Sequence, residues 1–200
     1  MSTFEVEIKF RVGNVDLAEL ERQLQRHFGG SEFGEQVTES DFFFQHPCRN
    51  FEQTDECLRL RHRTFSEGTS QYSLTYKGPK IDTSTKTRRE IEILITEPEQ
   101  WENLFIALGF CKSASVRKFR RRMELTVEHR RVDIVLDTLP DLPESDRFFI
   151  EMETRATEEE IEACRSLILG IADQLGLSEP IRDSYLKLVQ NWKKKCSSTK

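Results

Sequence analysis

Three short segments of this chain each carry two carboxylates at alternate positions: Glu5 and Glu7 in FEVEIKF, Glu90 and Glu92 in REIEIL, and Glu151 and Glu153 in FIEMET. Two others carry cations at the same spacing, Arg59 and Arg61 in CLRLR and Lys118, Arg120 and Arg122 in RKFRRRM. In a β-strand, residues two apart lie on one face, roughly 6–7 Å from each other. Each segment therefore aims like charges at one small region, which is unfavourable unless opposite charge lies between them. Paired glutamates suit a hard divalent cation such as Mg2+ or Mn2+, which takes one or two carboxylates together with phosphate oxygens and water. Lys9, Arg59, Arg61, Lys77, Arg88, Lys118 and Arg120 offer the point charges and planar forks that bind a polyphosphate.

The elements that must position these groups are legible from the other face of the same strands. Phe4, Val6, Ile8 and Phe10, Leu58 and Leu60, Ile91 and Ile93, and Ile150 and Met152 alternate with the charges. If the strands close with the charges inward, the apolar face is outside and needs helices to cover it. Four helical stripes are available: 16–28 with Leu17, Leu20 and Leu24; 98–108 with Trp101, Leu104, Phe105 and Leu108; 157–175 with Ile161, Cys164, Ile168 and Ile171; and 180–193 with Ile181, Tyr185, Leu188 and Trp192. Pro98 and Pro180 mark helix starts, and Gly29, Gly109 and Gly176 follow helix ends. Strands are predicted near 3–11, 38–45, 57–64, 71–77, 88–95, 117–127, 131–137 and 147–154, with a polar loop at 82–87. Antiparallel strands with few helices point to an α+β sheet or a closed barrel, not to βαβ units.

Two hundred residues, 36% of them hydrophobic, fit one domain over 1–192 followed by a basic tail, 193–200, expected to be disordered. The net charge of −5 argues against a general nucleic-acid binder, and read as a strand, 117–122 divides its cations between two faces. Five cysteines without a CxxC pair suggest free thiols in a reducing, cytoplasmic setting; no signal peptide is expected, since 1–10 already reads as a strand, and no apolar run approaches membrane length. The four histidines lack zinc-ligand spacing, and neither GxxxxGK[ST] nor GxGxxG occurs. A dry internal salt-bridge lattice is the bland alternative for the charged strands. Burying ions costs several kcal/mol each even when they are paired, so a wet, ion-binding tunnel explains them better.

Glu5-Val6-Glu7-Ile8-Lys9 resembles the ExExK signature of the CYTH superfamily, which unites class IV (CyaB-type) adenylate cyclases with thiamine triphosphatases and inorganic triphosphatases. Matching motifs follow in order: LRLR at 58–61, TYKGP at 75–79, TRREIEI at 87–93, VRKFR at 116–120, LDT at 136–138 and IEME at 150–153. The segment from Pro47 to Arg61 and Arg182-Asp183-Ser184-Tyr185-Leu186 resemble the CyaB-like branch, with Asn50 where that branch often has Asp.

The resemblance implies an eight-stranded antiparallel β-barrel, or tunnel, with a charged interior. It implies Mg2+ or Mn2+ on Glu5, Glu7, Asp137, Glu151 and Glu153, with Glu90 and Glu92 contributing, and a triphosphate on Lys9, Arg59, Arg61, Lys77, Lys118 and Arg120, with Arg88 beside them. The substrate would be a small triphosphate (ATP, thiamine triphosphate or tripolyphosphate), with no nucleic-acid or membrane partner; a homodimer would fit the resemblance. A general base is not evident. Lys77 or Lys9 would serve if neighbouring cations lowered its pKa, and metal activation of the nucleophile is an equal account. Cyclase, triphosphatase and non-catalytic polyphosphate-binding module remain open readings of the residues.

Overall fold

A computed structural model describes residues 4–13, 16–29, 32–80 and 87–198. Its eight strands are β1 (Phe4–Arg11), β2 (Val37–Gln45), β3 (Cys57–Thr64), β4 (Ser70–Lys77), β5 (Arg88–Ile95), β6 (Cys111–Val127), β7 (Arg130–Thr138) and β8 (Phe148–Ala156). They close into an antiparallel barrel in the order β1-β5-β4-β3-β2-β6-β7-β8. The weakest seam lies between β1 and β5, where Phe4 faces Arg89 and Glu5 faces Arg88. Elsewhere the ladders are long, as in β1 and β8, which run paired from Phe4↔Ala156 to Arg11↔Phe149. Register places Glu7 opposite Glu153, Asp41 opposite Arg61, and Arg120 opposite Asp137.

The apolar face of the barrel is packed from outside. Helices α1 (Leu17–Phe28) and α4 (Ile161–Gln174) cover β1, β6, β7 and β8, so that Leu20, Leu24, Cys164, Ile168 and Ile171 pack with Val6, Ile8, Met123, Ile134 and Met152. Helix α3 (Pro98–Ala107) seats Trp101 and Phe105 against Phe44, Leu60 and Leu74. Helix α5 (Tyr185–Ser198) closes a third cluster with Val116, Leu139, Leu142 and Phe149. The cover is incomplete at β5, where the outward Ile91 and Ile93 are exposed. No described helix is long and apolar enough to cross a membrane.

Local chemistry sets the helix ends. Asp16 caps α1, its Oδ1 accepting from the backbone N–H groups of Ala18 and Glu19. Gly109 follows α3 at φ +88°, and a Cβ there would stand 3.3 Å from the Pro47 Cβ, so both backbone shape and space favour glycine.

Four sequence expectations need correction. The last helix starts at Tyr185, not Pro180: Ser184 Oγ accepts from the Lys187 N–H as its cap, while Pro180 bridges to Phe10 and Ile181 N–H donates to the Lys9 carbonyl. The helix then continues through Lys193–Ser198, where a disordered tail was expected; Lys193 lies 3.6 Å from Asp141. Strand β6 begins at Cys111, because pairing with Phe43–Gln45 of β2 extends a segment that lacks an apolar alternation of its own. A four-residue helix, α2 (Phe51–Thr54), capped by Asn50 Oδ1, was not foreseen. Most of the loop at 82–87, the last two residues of the chain and the side chain of Leu17 lie outside the described residues.

Leu24 is fully buried beneath α1. Leu24→Ala should cost about 2–5 kcal/mol, the range for a leucine deleted from a packed core, measured by denaturant unfolding; a loss below about 1 kcal/mol would mean that α1 does not seal the outer face.

Candidate active site

The inner faces enclose a cavity of about 1010 Å³. Its lining includes every charged residue singled out as a site candidate except Asp137: Glu5, Glu7, Lys9, Arg59, Arg61, Lys77, Arg88, Glu90, Glu92, Lys118, Arg120, Glu151 and Glu153. They converge because alternate residues of a strand face one side, and the ladders bring those sides into one interior.

Charge within the cavity is segregated. On β2, β3, β6 and β7 lies a basic wall whose cations are already held by carboxylates. Arg61 grips Asp41 through Nε at 2.6 Å and Nη2 at 2.8 Å, and its Nη1 lies 3.0 Å from Glu39. Lys118 lies 3.2 Å from Glu39 and 3.5 Å from Asp137. Arg120 forks onto Asp137 at 2.7 and 2.5 Å and reaches Glu151 at 2.8 Å. Despite burial, Arg59 and Arg61 hold the Asp41 carboxyl well below the ordinary aspartate range, and Arg61 and Lys118 do the same for Glu39. Two cations keep donors to spare: Nε of Arg59 in the wall and Nε of Arg88 at the start of β5 are buried without hydrogen-bond partners among the described residues.

On β1, β5 and β8 the balance reverses. Burial raises the pKa of Glu5 to about 7 against the pull of Lys77, with Glu90 and Glu7 adding to the rise. Burial likewise raises Glu153 to about 7, with Glu5 and Glu7 contributing repulsion. Lys77 is shared between Glu5 at 2.6 Å and Glu90 at 2.7 Å. A cluster in which carboxylates crowd until they resist ionisation is under-supplied with positive charge, and in that respect fits a divalent cation. Among the described residues no three carboxylate, histidine or cysteine groups already form a metal cage. A cation would therefore use one or two of Glu5, Glu7 and Glu153 and take its other oxygens from substrate and water.

Four role expectations meet a different geometry. Lys77 is not poised as a general base: despite burial, Glu5 and Glu90 raise its pKa above lysine's ordinary value, the opposite of what proton abstraction requires. Asp137, expected at a metal, has both oxygens on Arg120 and is not among the residues that line the cavity. Glu151 is tied to Arg120 at 2.8 Å and lies 3.8 Å from Lys9, placing it at the boundary between the basic wall and the acidic cluster. Glu92 faces Arg63 at 3.6 Å, away from the acidic cluster.

Sequence reading missed Glu39 and Asp41, which are 1% and 4% exposed and anchor the basic wall. Their spacing, Glu-Ser-Asp, is the same alternate pattern as the other pairs, but it runs directly into Phe42–Phe44 and reads as the start of an apolar strand. Tyr185 was assigned to a helical core stripe. It does pack against the Val116–Phe149 cluster, and in addition the Lys9 ammonium sits 3.8 Å from its ring centroid, while burial with Asp137 and Glu151 nearby keeps its phenol protonated.

Between pH 4.5 and about 7, folded Glu5 and Glu153 keep protons that the unfolded chain has released, so their contribution to stability falls as pH rises through this window. Metal-free protein should lose melting temperature from pH 5 to 7.5 through these groups. Glu153→Gln, neutral throughout, should flatten the slope and melt about 3 °C or more above wild type at pH 7.5 by calorimetry. Parallel slopes would show that the carboxylates are not crowded.

A model of the CYTH domain matches residues 3–185. A Methanocaldococcus jannaschii protein bearing the name "putative adenylate cyclase" is 32% identical over 187 residues, covering 92% of this chain and 97% of its own length. The solved structure of the PH1819 protein of Pyrococcus horikoshii shares 36% identity over 94% of this chain and 98% of that one, with a TM-score of 0.77. A Hippeastrum protein of the same fold, whose structure is described as revealing a dominant triphosphatase activity in a putative adenylyl cyclase, is 15% identical, with 94% of this chain and 95% of that chain covered and a TM-score of 0.58.

Proposed function

This chain belongs to the CYTH domain family, and we propose that it is a divalent-metal-dependent enzyme of the class IV adenylate cyclase type, converting ATP to cyclic AMP and pyrophosphate. The observation that carries the reading is the division of one closed interior into a carboxylate cluster short of positive charge and a wall of arginines and lysines. A triphosphate with its metal has the complementary layout. The 32% identical relative bearing a cyclase name supports the finer choice. So does the lining of the cavity, where Phe43, Phe51 and Leu186 add apolar surface that inorganic tripolyphosphate would not need.

In this reading Lys9, Arg59, Arg61, Arg88, Lys118 and Arg120 bind the phosphates, and the substrate's oxygens replace part of the carboxylate contact these cations now make. Glu39, Asp41 and Asp137 hold the guanidinium forks in orientation, so little rearrangement is required when phosphate arrives. Glu5, Glu7 and Glu153 hold the Mg2+ or Mn2+, which when bound neutralises phosphate charge and favours ionisation of the attacking hydroxyl. The ribose 3′-oxygen gives its proton to solvent water and attacks the α-phosphorus, the bond from that phosphorus to the oxygen bridging it to the β-phosphorus breaks, and the β- and γ-phosphates leave together as pyrophosphate. Lys77, fully protonated between Glu5 and Glu90, steadies the cluster and takes no proton.

With ATP and Mg2+ or Mn2+, chromatography should find cyclic AMP and pyrophosphate in equal amounts. Orthophosphate and ADP without cyclic AMP, together with turnover of tripolyphosphate, would replace the cyclase reading by a triphosphatase. In either case Glu153→Gln should lower turnover by about 100-fold, the scale for loss of a charge-stabilising group. Arg88→Ala should weaken ATP and tripolyphosphate alike. Selective loss of ATP in that variant would move Arg88 from phosphate to base.

A further inference from the structure

Helix α5 does more than pack on the barrel. Its first residue, Tyr185, enters the tunnel lining, and three contacts fix where its ring lies. The Lys9 ammonium is 3.8 Å and the Lys118 ammonium 5.1 Å from the ring centroid, and Phe149 meets the ring edge-on at 5.1 Å. Lys9 lies on β1 and Lys118 on β6, so one aromatic ring is within cation–π range of two cations from different strands of the tunnel. The hydroxyl at the end of this ring is buried and has no hydrogen-bond partner among the described residues. A buried phenol ordinarily finds a partner, and leaving one unmet is unfavourable by an amount comparable to a lost hydrogen bond. The two lysines at the ring are themselves paired with carboxylates, Lys9 with Glu151 and Lys118 with Asp137, yet none of these groups satisfies the hydroxyl.

Resting on the triphosphate reading above, we propose that Tyr185 is a substrate-binding residue whose hydroxyl donates a hydrogen bond to a phosphate oxygen held by Lys9 and Lys118. The helix thereby contributes to the reaction chamber a neutral donor that none of the strand motifs encodes. Lysine ammoniums attract phosphate from any direction, whereas a phenol on a ring wedged between Phe149 and two lysines accepts an oxygen from one direction. Tyr185 thus fixes where along the tunnel the phosphate chain stops.

Tyr185→Phe removes the hydroxyl and keeps the ring on both ammoniums. In the ligand-free protein it should melt at or above the wild-type temperature, because an unsatisfied polar group has been removed. Titration calorimetry with tripolyphosphate and Mg2+ should show affinity reduced about ten-fold or more, the scale for a hydrogen bond to a charged acceptor. Tyr185→Leu, which also removes the cation-binding face, should bind more weakly still. Wild-type affinity in Tyr185→Phe would overturn the proposal while leaving the triphosphate reading intact, and so would a lower ligand-free melting temperature, since that would assign the hydroxyl a structural partner. Failure of the wild-type protein to bind tripolyphosphate or ATP would overturn both.

Discussion

The rest of this structure depends on the mutual neutralisation of ions inside the barrel. An unpaired charge moved from water into a protein interior costs several kcal/mol after relaxation, and even a good pair seldom returns more than it costs. Yet Glu39, Arg61, Lys118 and Lys9 are each no more than 3% exposed. Such an interior is tolerated only if each cation meets a carboxylate at the correct height on the neighbouring strand. That requirement constrains the ladder: one residue of slip between β2 and β3 would turn Asp41 away from Arg61 and bring apolar side chains inside.

Stability must therefore come from the outside. The barrel is inverted relative to an ordinary small barrel, with its hydrophobic face outward, and α1, α3, α4 and α5 supply what a filled interior normally would. The division leaves the inside free for chemistry and keeps core packing away from the site. The same division explains why α5 can bring a polar aromatic side chain inward. Its Val189 seals apolar surface against the strands while Tyr185, one helical turn earlier, lies on the two lysines.

The two halves of the tunnel solve the ion problem differently. The basic wall is neutralised within the chain, so its carboxylates ionise readily, as Asp41 and Glu39 show. The acidic cluster is not, so Glu5 and Glu153 are held to a pKa of about 7. The imbalance is local, and it is this imbalance, not the total charge, that suits the carboxylate cluster to a cation.

Sequence by itself determined the strands and their facing. Alternation of Glu5 and Glu7 with Val6 and Ile8, of Arg59 and Arg61 with Leu58 and Leu60, and of Glu151 and Glu153 with Ile150 and Met152 is a backbone periodicity, and local rules read it directly. Nearly every charged side chain that the sequence selected lines the cavity, Asp137 excepted. What it could not determine was which charge meets which, because a partner is chosen by register across strands distant in sequence. Asp137 and Glu7 look alike as alternate carboxylates, but ladder pairing puts the first behind Arg120 and the second beside Glu153. Lys77 looked able to lose a proton until β5 placed Glu90 opposite it. Tyr185 read as one more apolar position on a helix. Only closure of the barrel, with α5 docked across it, brought that ring onto Lys9 and Lys118, since a helical period records which face is buried and not what lies beneath it.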